Sequence, residues 1–220
     1  MTRLILTRHG QSIANQEHLF AGHSDFDLSE LGYAQAELTS RYILDNYSPD
    51  VIYSSDLKRA YNTASPTARA LGLEIIRDTR LREIFAGQWE SMSTTDIDRV
   101  FHEDFQVWKD DYANSRCTGG ESVAEAYERA VDAVIDIARN NLGKTVLIST
   151  HATMVRAIIA NASGIGAEGL GRLYFPHNAS VSVFDFENDR IVPVQVNIYE
   201  HLGELDSSVP PDFGVQNKQQ

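Results

Sequence analysis

Short apolar runs and longer periodic ones take turns along this chain, and the alternation predicts strand, helix, strand. Leu4-Ile5-Leu6 is a continuous apolar run closed by Gly10, the mark of a buried strand ending in a tight turn. After a polar loop, Leu28, Leu31, Ala34 and Leu38 recur at three- and four-residue spacing. With Asp27 or Ser29 available as N-cap, they predict a helix to about residue 46. Ser48-Pro49-Asp50 breaks it, Val51-Ile52-Tyr53 predicts a second strand, and Leu57, Ala60, Ala64 and Ala68 mark a second helix. Pro66 should kink or interrupt that helix, because it has no N–H for the carbonyl four residues back. A short strand is expected from about Glu74 to Arg77, and residues 80 to 120 are polar and aromatic with no clean period. Tyr127, Ala130, Val131, Val134 and Ala138 give the longest helix, from Glu121 to Asn141, ended by Gly143. Val146-Leu147-Ile148 is a further buried strand and residues 152 to 162 a further helix. Two late strands, about 180 to 186 and 190 to 198, flank Glu187-Asn188-Asp189, whose residues suit a hairpin turn.

This order implies an α/β fold of three layers, α/β/α, with a mostly parallel central sheet and helices on both faces. Residues 1–220 make one domain, in which about 84–120 form a helical insertion over the carboxyl ends of the strands, where a lid or pocket wall belongs. About 204–220, rich in Ser, Pro, Asp and Gln, predict an extended or mobile C-terminal tail.

Composition narrows the class. With 220 residues, 42% hydrophobic and 23% charged, the chain matches an ordinary globular domain that buries a sizeable core without metals or disulfides. Its one cysteine, Cys117, allows no internal disulfide, so the cytoplasm is the expected compartment. Strand-like sequence by residue 3 leaves no room for a signal peptide, and no apolar run is long enough to span a membrane. A net charge of −12 argues against nucleic acid and acidic lipid as partners. A small phosphorylated molecule drawn by a local group of arginines fits better, and a homodimer stays open.

Four polar clusters follow four different predicted strands, and in such a sheet ligands gather at the strands' carboxyl ends. Arg8-His9-Gly10 follows the first, with an arginine fork matched to a phosphoryl group beside a histidine. Ser54-Ser55-Asp56-Leu57-Lys58-Arg59-Ala60 follows the second and places Arg59 in or near a first helical turn. Leu81-Arg82-Glu83 opens the irregular region with a carboxyl group able to reach a leaving group. Ser149-Thr150-His151-Ala152 also opens a helix, so His151 and the Ala152 amide meet an anion at a helix N-terminus. Each cluster alone reads equally as a capped strand end or a surface charge; their joint occurrence points to phosphoryl chemistry.

The chain resembles the histidine phosphatase superfamily, which also contains cofactor-dependent phosphoglycerate mutases. The residues that carry the likeness are Arg8-His9-Gly10-Gln11-Ser12 with Asn15, then Asp25, Leu28, Gly32 and Gln35, then Ser54-Ser55-Asp56-Leu57 with Arg59-Ala60 and Thr63-Ala64. Leu81, Glu83, Gly87, Trp89-Glu90, Gly119-Gly120-Glu121-Ser122 and His151 complete it across most of the chain. The resemblance implies that His9 attacks phosphorus and becomes transiently phosphorylated, splitting hydrolysis into two displacements. A hydrogen bond from its other ring nitrogen to a backbone carbonyl would fix the useful tautomer. Arg8, Arg59, His151 and Asn15 would surround the phosphoryl oxygens, with Gln11, Ser12, Ala21, Gly22 and Ala152 counted in the same binding set. Glu83 would protonate the departing alkoxide and then take a proton from the attacking water. No metal or other cofactor is implied.

Two departures stand out: Ala152 and Ser91 occupy positions where the family commonly has glycine. Alanine keeps the backbone donor but lacks glycine's conformational range. In the mutases an Arg-His-Tyr stretch follows the catalytic glutamate, whereas Ile84-Phe85-Ala86 stands here, and the mutases' basic, proline-rich stretch is missing between 91 and 120. The sequence therefore points to a phosphomonoesterase, with a phosphoglycerate mutase and a non-catalytic phosphate-binding protein as alternatives. Phe85, Trp89, Phe101, Phe105, Trp108 and Tyr112 either line an aromatic pocket or pack the inserted helices onto the sheet. His102, Tyr174 and His177 are rim candidates, and Cys117 reads as a passive small side chain.

Overall fold

Leu4, Ile5 and Leu6 are all fully buried, which a strand achieves only when both faces of its sheet are covered. In the computed structural model, which describes residues 1–207, that strand is β1, Thr2–Arg8. Along the chain follow α1 (Ile13–Gln16), α2 (Glu30–Asn46), β2 (Val51–Ser54), α3 (Lys58–Leu71), β3 (Ile75–Arg77), α4 (Thr94–Val100) and α5 (His102–Asp110). Then come α6 (Val123–Asn140), β4 (Thr145–Thr150), α7 (Ala152–Ala162), β5 (Val181–Glu187) and β6 (Arg190–Ile198). The sheet order is β3-β2-β4-β1-β5-β6; the first four strands run parallel, and β5 and β6 pair antiparallel.

The period-two alternation of side chains sorts the core into two layers. Leu4 and Leu6 with Val146 and Ile148 meet Ala130, Val134 and Ile137 of α6 and Val155 and Ile158 of α7. Ile5, Ile52 and Leu147 point the other way, onto Ile43 of α2 and Ala64 and Ala68 of α3. The helix after β1 thus covers one face and the helix after β4 the other, although the strands are neighbours. Their connections diverge at the carboxyl edge and open a crevice there. Register aligns that edge: Arg8 pairs with Thr150, and Ser54 with Ser149.

Local chemistry accounts for the element ends. Ser29 caps α2 through its hydroxyl, and Ser122 and Glu125 form a reciprocal capping box on α6. Asn188 and Asp189, at φ 50° and 58°, turn β5 into β6. The helix expected to be kinked or interrupted at Pro66 runs on as α3 to Leu71, its Ala60, Ala64 and Ala68 face packed and Ser65 Oγ donating to the Tyr61 carbonyl at 2.9 Å. One lost amide weighs less than that packed face. Among residues 84–120, α4, α5 and short 3-10 turns enclose a second core, in which Trp89 and Trp108 meet Phe20 edge-on at 5.7 and 5.3 Å. Of the expected tail, residues 204–207 are held in place: Gln35 Nε2 donates to Leu205 O at 2.8 Å and Ser207 Oγ at 2.9 Å. Residues 208–220 lie outside the described residues.

Gly32 allows the first turn of α2 to touch the loop after β1, since a Cβ there would stand 2.0 Å from the Gln11 carbonyl oxygen. Gly32→Ala is expected to lower unfolding free energy by about 1–3 kcal/mol, the cost of overpacking a tight contact. Denaturant unfolding checks this, and wild-type stability would show that the loop yields freely.

Candidate active site

Four connections leave the aligned strand edge and bring their polar residues into one cleft. It is lined by Arg8, His9, Asn15, Ala21, Gly22, Arg59, Glu83 and Ala152, with Leu19, Phe20, Ile84, Trp108, Thr153 and Phe175 above them. The cleft encloses a cavity of about 60 Å³ and is partly open to solvent.

His9 sits one residue beyond β1 with its backbone fixed on both sides: its N–H donates to Thr150 O at 2.9 Å, and its carbonyl accepts from Ala179 N and Asn178 Nδ2 at 3.1 Å. Nδ1 lies 2.7 Å from its neighbour Gly10's carbonyl oxygen. Since a carbonyl only accepts, Nδ1 carries the proton and Nε2 keeps its lone pair. Burial first, then Arg59 and Arg8, hold this imidazole well below its ordinary pKa. His151, whose ring centre is 5.2 Å from that of His9, is fully buried and likewise lowered, by burial and then Arg59. It stands behind the cleft lining. Its Nε2 is 2.9 Å from Ser55 Oγ, and its Nδ1 has no partner among the described residues.

Arg8 and Arg59 are 5% and 0% exposed, yet neither forms an ion pair with a carboxylate among the described residues. Main-chain carbonyls hold them instead. Arg8 Nη1 donates to Pro176 O at 2.5 Å, and Arg59 donates to Ser24 O and Gly22 O at 2.8 and 2.7 Å. Burial lowers both guanidinium groups to about 10. Asn15 accepts through Oδ1 from Ser12 N and Asn178 Nδ2, which turns its amide NH₂ away from those donors. Gln11 and Ser12 are taken up in building the loop and do not line the cleft: Gln11 Oε1 accepts from Ser29 Oγ, and Ser12 caps α1.

Glu83 accepts from the amide of Ile84 at 2.9 Å, and its other oxygen is 3.4 Å from Thr153 N. Its segment is clamped from behind by Arg129, which donates to the carbonyls of Arg80, Arg82 and Glu83 at 2.8 to 3.1 Å and pairs with both oxygens of Glu121. Glu90 reaches the amides of His23, Ser24 and Ala86, tying the 21–24 loop to the same segment. The sequence offered no signal for Arg129, because its carbonyl partners lie 46 to 49 residues earlier and meet it only in the fold. The glutamate-to-glycine pattern gave Glu90 a place but no role.

Both departures from glycine resolve conformationally. Ala152 opens α7 without a positive φ, so alanine keeps the amide at no backbone cost. Ser91 adopts φ 62° and so retains a glycine-like turn with a side chain on it. Of the six aromatic candidates only Trp108 lines the cleft; Trp89, Phe105 and Tyr112 pack in the second core, Phe101 lies against it, and exposed Phe85 sits beside His23. His102 pairs with Asp98 on the surface, His177 with Asp206, and Tyr174 is 41% exposed; none lines the cleft. Phe20 and Phe175, which do, carried no motif.

The model of the histidine phosphatase superfamily, branch 1, matches residues 4–199. Phosphoserine phosphatase 1 of Hydrogenobacter thermophilus is 35% identical over 205 residues, 93% of this chain and 96% of that protein. Among solved structures, mycobacterial glucosyl-3-phosphoglycerate phosphatase in complex with VO3 superposes with a TM-score of 0.82 at 29% identity, over 90% of this chain and 99% of that one. YhfR of Bacillus stearothermophilus gives a TM-score of 0.86 at 27% identity, over 92% and 100%. No helix among the described residues is long and apolar enough to cross a membrane.

His9, His151, His23 and His201 all have folded-state pKa values below the ordinary 6.5, chiefly through burial. Below about pH 6.5 the unfolded chain takes up protons that the folded protein excludes, so this stability is whole above that pH and declines beneath it. In phosphate-free buffer the melting temperature is expected to fall between pH 7 and 5, above the range in which carboxylates such as Asp56 and Glu121, held below their ordinary values in the fold, add their own loss. A melting temperature that is flat over that interval contradicts the neutral-histidine assignment.

Proposed function

The chain belongs to the histidine phosphatase superfamily, and from that premise we propose that its cleft hydrolyses phosphomonoesters of small metabolites through a phosphohistidine at His9. It is an enzyme of the phosphatase type. The observation that carries the residue assignment is the pairing of a lone-pair-bearing His9 Nε2 with two buried arginines that lack carboxylate partners among the described residues. An anionic phosphoryl group supplies the missing charge and places phosphorus before the nucleophile.

In the first step Nε2 attacks phosphorus as the bond to the ester oxygen breaks. Glu83 gives its proton to that oxygen, so the alcohol leaves neutral. Charge on the equatorial oxygens is met by Arg8, Arg59, the Asn15 amide and the Ala152 N–H at the start of α7. His151, beside His9, adds to this set through its Nδ1, which has no partner among the described residues, while its Nε2 is engaged with Ser55 Oγ. In the second step the Glu83 carboxylate takes a proton from water, hydroxide adds to phosphorus, and the P–N bond breaks to release phosphate and restore His9. The fixed arginines supply the positive charge that a metal supplies elsewhere.

Ile84 lines the cleft directly after Glu83, where the mutase pattern puts an arginine, and this favours hydrolysis over phosphoryl return to a phosphoglycerate. The relatives named for phosphoserine and glucosyl-3-phosphoglycerate act on small phosphorylated metabolites, and the same breadth of class is proposed here. A reducing, cytoplasmic setting fits the lone Cys117, fully buried with its thiol pushed far up by burial.

His9→Ala is expected to reduce release of p-nitrophenol from p-nitrophenyl phosphate by more than about 10³-fold, with wild-type activity persisting in chelator. Absence of wild-type turnover across pH 4 to 9 rejects catalysis, and efficient interconversion of 3- and 2-phosphoglycerate rejects the hydrolase preference. Glu83→Gln should depress kcat/KM for an alkyl phosphate by about 10²-fold or more while p-nitrophenyl phosphate, with its good leaving group, loses less. Equal losses on both esters remove Glu83 from the proton-donor role.

A further inference from the structure

Arg156 is fully buried in α7, one turn beyond Ala152 of the cleft lining, and the phosphoryl chemistry does not use it. No carboxylate forms an ion pair with it among the described residues. Its Nη2 donates to two main-chain carbonyls, those of Leu170 and Leu173. Nε and Nη1 have no hydrogen-bond partner among the described residues, and two aromatic rings flank the group: Cζ is 4.4 Å from the Tyr112 ring centre and 4.2 Å from that of Phe175. Attraction of a guanidinium to an aromatic face strengthens when both are out of water.

Three of those contacts fall on one stretch of chain. Between the 3-10 turn Ala167–Arg172 and β5 the backbone forms no helix or strand, and Phe175, which lines the cleft, belongs to that irregular part. By contrast α7 is packed into the core through Val155 and Ile158. Arg156 thus ties Leu170, Leu173 and Phe175, at two carbonyls and one ring, to a rigid helix. From Pro176 onward the chain is anchored to the phosphoryl end instead: Pro176 O accepts from Arg8, and Asn178 Nδ2 and Ala179 N donate to His9 O. One anchor gives way to the other between residues 175 and 176. A buried charge is a costly source of stability, and apolar side chains of similar volume often serve as well. What the planar fork adds is direction, with donors in its plane and faces for the rings.

We propose that Arg156 is a positioning residue for specificity: it holds Phe175 as a fixed wall against which the apolar part of the ester's leaving group packs. It does so without touching substrate. The inference rests on the phosphatase reading for the ester itself. Against a fixed wall, a leaving group that reaches Phe175 gains contact that a shorter one lacks. Against a loose wall, ordering Phe175 on binding consumes that gain. The phosphoryl end, anchored from Pro176 onward, is not disturbed by either state of the wall.

The test compares ethyl phosphate with 2-phenylethyl phosphate, both esters of unactivated alcohols, which differ in the reach of an apolar group. Wild-type kcat/KM is expected to favour the phenylethyl ester about tenfold or more, the discrimination of an apolar pocket. In Arg156→Met, which removes the fork at similar volume, the ratio should fall to about twofold or less through a higher KM for the phenylethyl ester. Inhibition by inorganic phosphate should stay as in wild type. Phe175→Ala should lower the ratio alike, and Arg156→Met added to it should lower it no further, as for two residues that act as one. Equal losses on both esters, with weaker phosphate inhibition, would show a structural role alone and overturn the proposal. A wild-type ratio near one or below, or an unaltered ratio in Arg156→Met, does the same. If that variant does not fold, Arg156→Lys decides: it keeps the charge without the planar fork, so the ratio should fall, and a wild-type ratio overturns the proposal. Failure of the wild type to hydrolyse either ester rejects the phosphatase reading. Calorimetric affinities for the two esters, wild type against Arg156→Met, then decide the role of the wall by the same ratio.

Discussion

Arg8 and Arg59 are buried positive charges whose only direct partners among the described residues are neutral carbonyls, and much of the surrounding structure exists to tolerate them. Removing a charge from water is costly, and carbonyl dipoles recover only part of the loss. The remaining cost appears as the lowered pKa of both groups. The two histidines beside them are kept neutral first by their own burial, and Arg59 adds to it. One electrostatic arrangement prepares both the phosphate clamp and the nucleophile.

The loops that provide those carbonyls cannot be independent of the site. Gly22 and Ser24 face Arg59 from one side while Glu90 holds the amides of His23 and Ser24 from the other. Gly22 takes φ +48°, and a Cβ there would fall 2.3 Å from Glu90 Oε1, so the close approach of the carboxylate requires a residue without one. Arg129 does for the Glu83 segment what Arg59 does for this loop, collecting the main-chain carbonyls of Arg80, Arg82 and Glu83 on one planar group. Catalytic side chains on irregular backbone acquire strand-like fixity in this way.

Local chemistry made the strands and helices legible: the unbroken Leu4-Ile5-Leu6 run, the capping serines and the Asn188-Asp189 turn each carry their own structural instruction. The reactive groups were legible because each follows a strand, and a parallel sheet delivers such positions to one edge. What depended on distant partners was not. Trp108 and Trp89 were both pocket candidates, and only packing decides that one lines the cleft and the other does not. Gln11 and Ser12 sit in the motif yet serve its loop, a distinction that rests on where Ser29 and Asn15 come to lie. Pro66 does not interrupt α3, because the buried alanine face outweighs the one lost amide.

Gln35 is fully buried, and its amide is satisfied at both ends: Oε1 accepts from Gln11 N at 2.8 Å, and Nε2 donates to Leu205 and Ser207. Only a side chain that donates and accepts at once can bridge those partners, and a carboxylate of the same size would face the Leu205 carbonyl with no proton to offer. The turn that carries the nucleophile and the segment that leads toward the C-terminus are therefore spliced through a single side chain. Remodelling of either one in the course of evolution has to be negotiated with the other at position 35.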